Sequence, residues 1–506
     1  LFGQEYNPES YAICGSDLMI KGEDVKNIIF GDTLGTGKSK EGFVDGDGHP
    51  DENFHYILAN PPFGVEWKSQ KDHVTKEHND FGFGGRFGPG LPRINDGALL
   101  FLLHMIDKMG HATGDGDGAR IGVIFNGSPL FTGDAGQGES NIRRWILEND
   151  MLEAVVGLPD QLFYNTGIYT YLWIVTNRKP AQRRGKVQLI NGTEFALKMK
   201  PKSLGDKRKM IGDGNDGTPN HIQTLTELYG AFEDGTTLPL GEIQTNIDPS
   251  RDPSKSITVS KIFENRDFGY IKIVIERPLR LNFTINDERL ARFQESGTFK
   301  SLAASKKRKD PASKAKEEAE GRKTQAEILK VLESLRPGFA DGSLVKDRAV
   351  FEKQLKAAFK KSPVSLDGPL KKALLAPGSL GERDKTAEIC RDGKGQPEPD
   401  AELRDTENVP LPSDISLPLP LDYSSKPDLD PLLALVQAHC QAYFDAEVKP
   451  YRKDAWTDWK KTKVGYEIPF TRHFYQYEAP RPLAVIESEI KALESEIMQM
   501  LQEVTV

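Results

Sequence analysis

Apolar positions gather into short runs through the first third of the chain and into a helical repeat at its end. Tyr56-Ile57-Leu58-Ala59 is an apolar run of strand length, stopped by Asn60-Pro61-Pro62-Phe63. Proline can neither donate to a sheet ladder nor continue it. Further strands are predicted over 1–5, 26–32, 119–125, 152–158 and 169–176, and within 260–281, where Ile271, Ile273 and Ile275 alternate. Asn7 reads as an N-cap, with Pro8 in the first helical position of a helix running to about Met19. A helix over 98–109 is apolar nearly all round and therefore buried, and another covers 141–149. Strands alternating with helices predict an α/β fold. After Pro482, Leu483, Ile486, Ile490, Leu493, Ile497 and Met500 recur at helical spacing. That seam suits a partner helix as well as another part of the same chain.

Composition narrows the setting. A length of 506 residues corresponds to about three domains. Boundaries are expected from shifts in composition: a nucleotide-binding α/β domain over 1–180, and a mixed α/β extension over 181–295. A charged and Pro-rich stretch, helical to poorly ordered, follows over 296–430, with a helical C-terminal region over 431–506. Cys14, Cys390 and Cys440 are too few and too scattered for a disulfide framework or a zinc site. The longest apolar run, 98–106, is interrupted by His104 and falls short of the ~18 residues a membrane span needs. With no signal-peptide pattern either, a cytoplasmic location is expected. Because the chain opens at Leu1 inside a predicted strand, further sequence upstream is expected. A net charge of −8 does not suit a chain that grips nucleic acid alone; a partner supplying phosphate contacts suits it better.

The chemistry concentrates at strand ends. Pro61 and Pro62 fix their φ angles, so the Asn60 amide and the neighbouring carbonyl are held before any ligand arrives. Two fixed acceptors beside a flat aromatic face, Phe63, fit an exocyclic amino group on a planar ring, whose lone pair is otherwise delocalised. Glu5 and Asp32 tip the two preceding strands. Carboxylates there can accept from ribose hydroxyls and from an adenine amino group. Gly35-Thr36-Gly37-Lys38-Ser39 imitates a phosphate-binding loop, but the glycine required five positions before Gly37 is Asp32. Asp45-Gly46-Asp47-Gly48 lacks the spaced ligands and closing Glu of a calcium loop. No metal is expected. The glycine-rich stretch 81–92 reads as a lid or as a plain connector. Pro159 to Gly167 forms a turn between two strands and carries the aromatic pair Phe163 and Tyr164. Lys306-Lys307-Arg308-Lys309 reads as a solvated face.

Together these segments resemble the modification subunit of type I restriction-modification systems, a DNA adenine-N6 methyltransferase family. The resemblance rests on Gly3-Gln4-Glu5-Tyr6-Asn7-Pro8, Gly31-Asp32-Thr33-Leu34, Asn60-Pro61-Pro62-Phe63-Gly64 and Phe163-Tyr164-Asn165-Thr166-Gly167. It extends more loosely to 260–281 and 465–504. It implies a doubly wound, Rossmann-like methyltransferase sheet with helical C-terminal additions. It also implies S-adenosyl-L-methionine as cofactor, bound by Glu5, Asp32 and Asn60. Asn60, Pro61, Pro62 and Phe63 would act on an extruded adenine, stacked by Phe63, Phe163 and Tyr164. The partners implied are double-stranded DNA, a specificity subunit, a restriction subunit and a second copy of the modification subunit. The region 465–504 would dock on the specificity subunit, anchored by Phe470, Phe474, Tyr475 and Tyr477. Two features depart from the family: the glycine-rich cofactor motif and its strand are absent before Leu1, and His55 stands where Asp is common. Methylation of a glutamine amide or an RNA base, and a non-catalytic structural subunit, are the alternatives.

Overall fold

The computed structural model describes residues 1–112, 117–164, 166–199, 208–244, 252–305, 311–419, 429–477 and 483–504. Asn165, the Lys306-Lys307-Arg308-Lys309 run and Pro482 lie outside the described residues. By their contacts the residues form two units: Leu1–Tyr270 with Ser413–Pro427 and Gly465–Val506, and Ile271–Pro412 with Asp428–Val464. This division differs from the compositional one, because strand pairing continues well past residue 180. No described helix is long and apolar enough to cross a membrane.

In the first unit, β1 (Gly3–Glu5) lies parallel to β2 (Ile28–Asp32), and β2 lies parallel to the two-residue β3 (Val44–Asp45). The helix between them, α1 (Pro8–Ile20), starts where expected: the Asn7 side chain accepts from the amides of Glu9 and Ser10. The other strands are β4 (Tyr56–Ala59), β5 (Arg120–Phe125), β6 (Leu152–Leu158), β7 (Thr170–Thr176) and β8 (Lys186–Asn191). With Ser260–Glu264 they form a six-stranded mixed sheet, in the order Ser260–Glu264, β8, β6, β7, β5, β4. Among the described residues β1 pairs only with β2, and β4 only with β5. β1 and β4 are thus each paired on one side alone. On β4, Tyr56 and Leu58 are largely exposed, 70% and 86%.

The β6–β7 pair is interior to the sheet. β8 adds parallel to β6, because its Val187, Leu189 and Ile190 supply a fully buried apolar run. Helix α3 (Ala98–Asp107) is apolar all round for the reason anticipated: Ala98, Leu99, Leu100, Leu102, Leu103 and Met105 are all buried. Helix α2 (Lys71–Phe81) follows the Asn-Pro-Pro-Phe loop, and the short α4 (Ser128–Phe131) precedes α5 (Gly138–Glu148).

The stretch 465–474 returns to this sheet from far along the chain. Tyr466 donates its amide to Ser140 Oγ (3.0 Å) and its hydroxyl to Glu148 (2.9 Å). The Ile468 amide donates to the Leu130 carbonyl. Phe470 is buried edge-on against Tyr171 at 5.2 Å and lies over Gly157, where a Cβ would come within 2.8 Å of its ring. The expected partner-facing cluster is therefore divided. Phe470 belongs to the chain's own core, whereas Tyr475 and Tyr477 are exposed. The final helix, Leu483–Val504, keeps Leu483, Ile490, Leu493, Ile497 and Met500 exposed.

In the second unit the charged stretch expected to be helical to poorly ordered carries helices with a core of their own. Helices Asp287–Glu295, Gly297–Leu302, Pro311–Leu335, Arg348–Phe359 and Gly368–Leu375 surround a core that includes Leu281, Phe283, Phe293, Ile328, Phe351 and Leu374. Phe283 and Phe351 stack there at 4.8 Å. Charge-rich sequence hid this core, since each helix buries only a narrow stripe.

Removing the Phe470 ring should empty a buried site, at a cost of about 3–5 kcal/mol. Phe470→Ala is thus expected to lower the urea midpoint clearly. Tyr477→Ala, at an exposed ring, should stay within about 0.5 kcal/mol of the parent.

Candidate active site at the carboxyl edge of the sheet

Strand directions decide which loops meet. β4 and β5 are parallel, pairing Ala59 with Val123, while Phe125 at the end of β5 pairs with Tyr171 in antiparallel β7. Leu158 at the end of β6 pairs with Thr170. The segments 60–70, 126–128 and 159–169 therefore leave the sheet at one edge, where α/β folds bind ligands.

The first loop carries the predicted residues. Asn60 and Pro62 are exposed, Pro61 is buried and Phe63 is half-buried. Gly64 follows at φ +63°, a left-handed turn that glycine adopts without steric cost. Beyond it, Trp67 is buried and pins the loop: its indole donates to the Arg93 carbonyl (2.9 Å), and its amide to Ile94 (3.1 Å).

Sequence reasoning missed the second loop. Asn126 Oδ1 accepts from the Ser128 amide, and Arg93 donates to Ser128 Oγ at 2.7 Å. The available signal was a buried strand ending at Asn126-Gly127-Ser128-Pro129, the same strand-then-turn order as at Asn60. In the third loop the aromatic pair divides. Phe163 is half-buried against the core of Val156, Leu158, Ile190 and Phe195, whereas Tyr164 is 72% exposed.

Glu5 and Asp32 tip neighbouring parallel strands. Glu5 accepts from the Asn7 amide at 2.7 Å, and no hydrogen bond joins it to the other predicted residues. Asp32 is more firmly held. Its Oδ1 accepts from the Leu34 amide (3.0 Å), and its Oδ2 from Gln70 Nε2 at 2.6 Å. Gln70, also missed, ends the Asn-Pro-Pro-Phe loop and so links it to the tip of β2.

The glycine-rich stretch 81–92 is not a free lid. Phe87 is fully buried, its carbonyl bonded to His78 (2.7 Å), and Arg86 pairs with Glu77 while donating to the Thr33 carbonyl. Only Phe81 and Phe83 project outward. Beneath Arg86, His104 Nδ1 lies 3.3 Å from the guanidinium, and Lys108 pairs with Asp47 nearby. A cleft of about 540 Å³ opens between Asp47, His73, Glu77, Arg86 and Lys108. Among the described residues no cluster of His, Cys, Asp and Glu could hold a metal ion.

Residues 1–268 match the family model for N-6 DNA methylases. The chain belongs to the N-6 DNA methylase family. Among curated proteins it is 26% identical, over 236 residues, to the MjaIX type I restriction enzyme methylase subunit of Methanocaldococcus jannaschii. That alignment covers 46% of this chain and 36% of the relative. It is 28% identical over 207 residues to the HindI methylase subunit of Haemophilus influenzae, covering 41% of this chain and 40% of the other. A solved type I methyltransferase subunit from Streptococcus thermophilus superposes with a TM-score of 0.36 at 23% identity, covering 46% of this chain and 42% of that one. The chain thus spans well under half the length of these methylase relatives. The family match takes in all three loops of the carboxyl edge.

The cluster beneath the site sets a pH dependence. Burial, with Arg86 and then Lys108 adding to it, lowers the His104 pKa to about 4. An unfolded histidine titrates near 6.5, so the folded form is favoured while the ring is neutral. That stabilisation is complete above about pH 6.5 and is lost as pH falls toward 4. Urea midpoints should therefore drop across this window, and His104→Gln should flatten the slope there.

Proposed function

We propose that the protein transfers a methyl group from S-adenosyl-L-methionine to the N6 amino group of adenine in DNA, as the modification subunit of a type I restriction-modification complex. One observation carries the reading. Within the family-matched span, an exposed Asn60 is set by two prolines at the carboxyl edge of the sheet, on a loop tied to the acid that tips β2.

The residues present fit the adenosine half of the cofactor. Glu5 and Asp32 are carboxylates at the ends of adjacent parallel strands, and ionised carboxylates only accept hydrogen bonds. Glu5 suits ribose hydroxyls, and Asp32 suits the adenine amino group. When bound, the cofactor supplies an electrophilic methyl on sulfonium. Everything else falls to the chain. The Asn60 side-chain oxygen and the Pro61 carbonyl accept hydrogen bonds from the two N–H groups of the target amine, drawing those hydrogens out of the ring plane and returning the lone pair to nitrogen. Pro61 and Pro62 keep both acceptors fixed, so little reorganisation remains at the moment of transfer. Phe63 stacks on the extruded base, and Tyr164, the more exposed of the hairpin pair, offers a second face; such stacking is worth about 1–3 kcal/mol per base. Extrusion itself costs a few kcal/mol.

The same reading assigns the exposed apolar seam of Leu483–Val504 to a specificity subunit. That subunit would bring the sequence recognition and phosphate grip that a chain of net charge −8 lacks. A restriction subunit, a second modification subunit and double-stranded DNA complete the assembly.

Asn60→Ala removes one acceptor and leaves the turn. Methyl incorporation into target duplex should fall by at least about a hundredfold, with DNA binding retained; wild-type incorporation would overturn the assignment. For the seam, Ile490→Asp combined with Leu493→Asp should abolish co-purification with the specificity subunit. The melting temperature should not change, because both side chains are already exposed.

A further inference from the structure

Gln70 sits between two parts of the site that belong to separate sheets. Asp32 ends β2 in the three-stranded sheet, while Asn60 follows β4 at the edge of the six-stranded one. The hydrogen bond from Gln70 Nε2 to Asp32 Oδ2, at 2.6 Å, joins them. A carboxylate can only accept, so the amide nitrogen must be the atom facing Asp32. The Gln70 Oε1 atom is left without a partner among the described residues.

This bond is not needed to hold α2. The Arg86 guanidinium pairs with Glu77 within α2 and donates to the Thr33 carbonyl at 3.0 Å. Trp67 independently fixes the loop to Arg93 and Ile94. The side chain of Gln70 is half-buried, and its amide caps no helix N–H. Its main chain is nevertheless built into the loop: its amide donates to the Trp67 carbonyl (3.2 Å), and its carbonyl accepts from Val74 (2.9 Å). What the side chain adds is a charge-assisted contact to the acid assigned above to the cofactor's adenine.

We propose that Gln70 is a positioning residue that links occupancy of Asp32 to the loop carrying Asn60-Pro61-Pro62-Phe63, so that cofactor and target DNA bind cooperatively. The proposal rests on the methyltransferase reading. Asp32 already accepts on both oxygens, from Leu34 and from Gln70. An exocyclic amino group arriving there must share an oxygen with the Leu34 amide or with the Gln70 amide, and in the second case it meets Gln70 directly, whose Oε1 is a further acceptor. Any preference of the loop for one setting of Gln70 then appears as a coupling free energy, and linkage makes it reciprocal.

The test is calorimetric binding of S-adenosylhomocysteine to the full chain with its specificity subunit, with and without unmethylated target duplex. In the parent, duplex should change the affinity by about fivefold or more. In Gln70→Ala the factor should shrink to within twofold of one. Gln70→Glu sets two carboxylates at hydrogen-bond distance, and protonating one of them restores a donor. Its coupling should be lost at pH 7.5 and return as pH falls toward 5. A merely structural role would lower the melting temperature of both variants and show no such recovery. Parental coupling in Gln70→Ala, or no coupling in the parent, overturns the proposal alone. A parent that binds no S-adenosylhomocysteine overturns the methyltransferase reading and this proposal with it.

Discussion

One buried guanidinium holds the carboxyl edge of the sheet to the stretch 465–474. Arg143, on α5, has no exposed surface. Its Nε donates to the Tyr466 carbonyl at 2.6 Å, and its Nη1 to those of Pro129 and Thr132. Burial pulls its pKa down to about 10, which still leaves it charged at neutral pH. Backbone carbonyl dipoles thus take the place of water around the cation, which is how a buried charge is tolerated. Without Arg143, three carbonyls from two distant segments would each lose a donor, and each such loss costs about 1–3 kcal/mol. The turn after β5, the amphipathic α5 and the stretch 465–474 are therefore one structural element, although the chain writes them far apart.

That arrangement relates the two ends of the proposed chemistry. The turn held by Arg143 is continuous with Asn126 and Ser128, and Ser128 meets Arg93 beside the loop of Asn60. The stretch held by Arg143 precedes, in sequence, the exposed helix Leu483–Val504. Within that stretch the Phe470 ring rests on β6 and β7, the strands that carry the Phe163 and Tyr164 hairpin. The acids of β1 and β2 sit apart from this system, and Asp32 meets the Asn60 loop through Gln70.

What the sequence disclosed was local. Tyr56–Ala59 was legible as a strand because prolines stop it, and Asn7 as a cap because Pro8 follows it. The Asn60 turn could be read because its chemistry is written in four consecutive residues. The rest depends on pairs that no local pattern marks. Gln70 lies 38 residues from Asp32, and Arg143 lies 323 residues from Tyr466. An arginine in a polar-looking helix reads as a solvated face, and only the fold reveals that α5 is buried on nearly every side. Phe470 looked like a docking anchor for the same reason: nothing near it in sequence announces Gly157, the position that leaves room for its ring. The second unit's core was hidden by the charges spaced along its helices.

The 323-residue separation also bears on how the protein is made. Ribosomes add about 5–20 residues per second, so α5 and β6 emerge roughly 15–65 s before residue 466 exists. During that interval the Arg143 cation has no Tyr466 carbonyl, and the seat for Phe470 on β6 and β7 stands open. Contacts so distant in sequence close late, since loop-closure entropy must be met before they reward the chain. Until then an apolar slot lies open beside a cation that holds its local acceptors, Pro129 and Thr132, and still lacks its distant one.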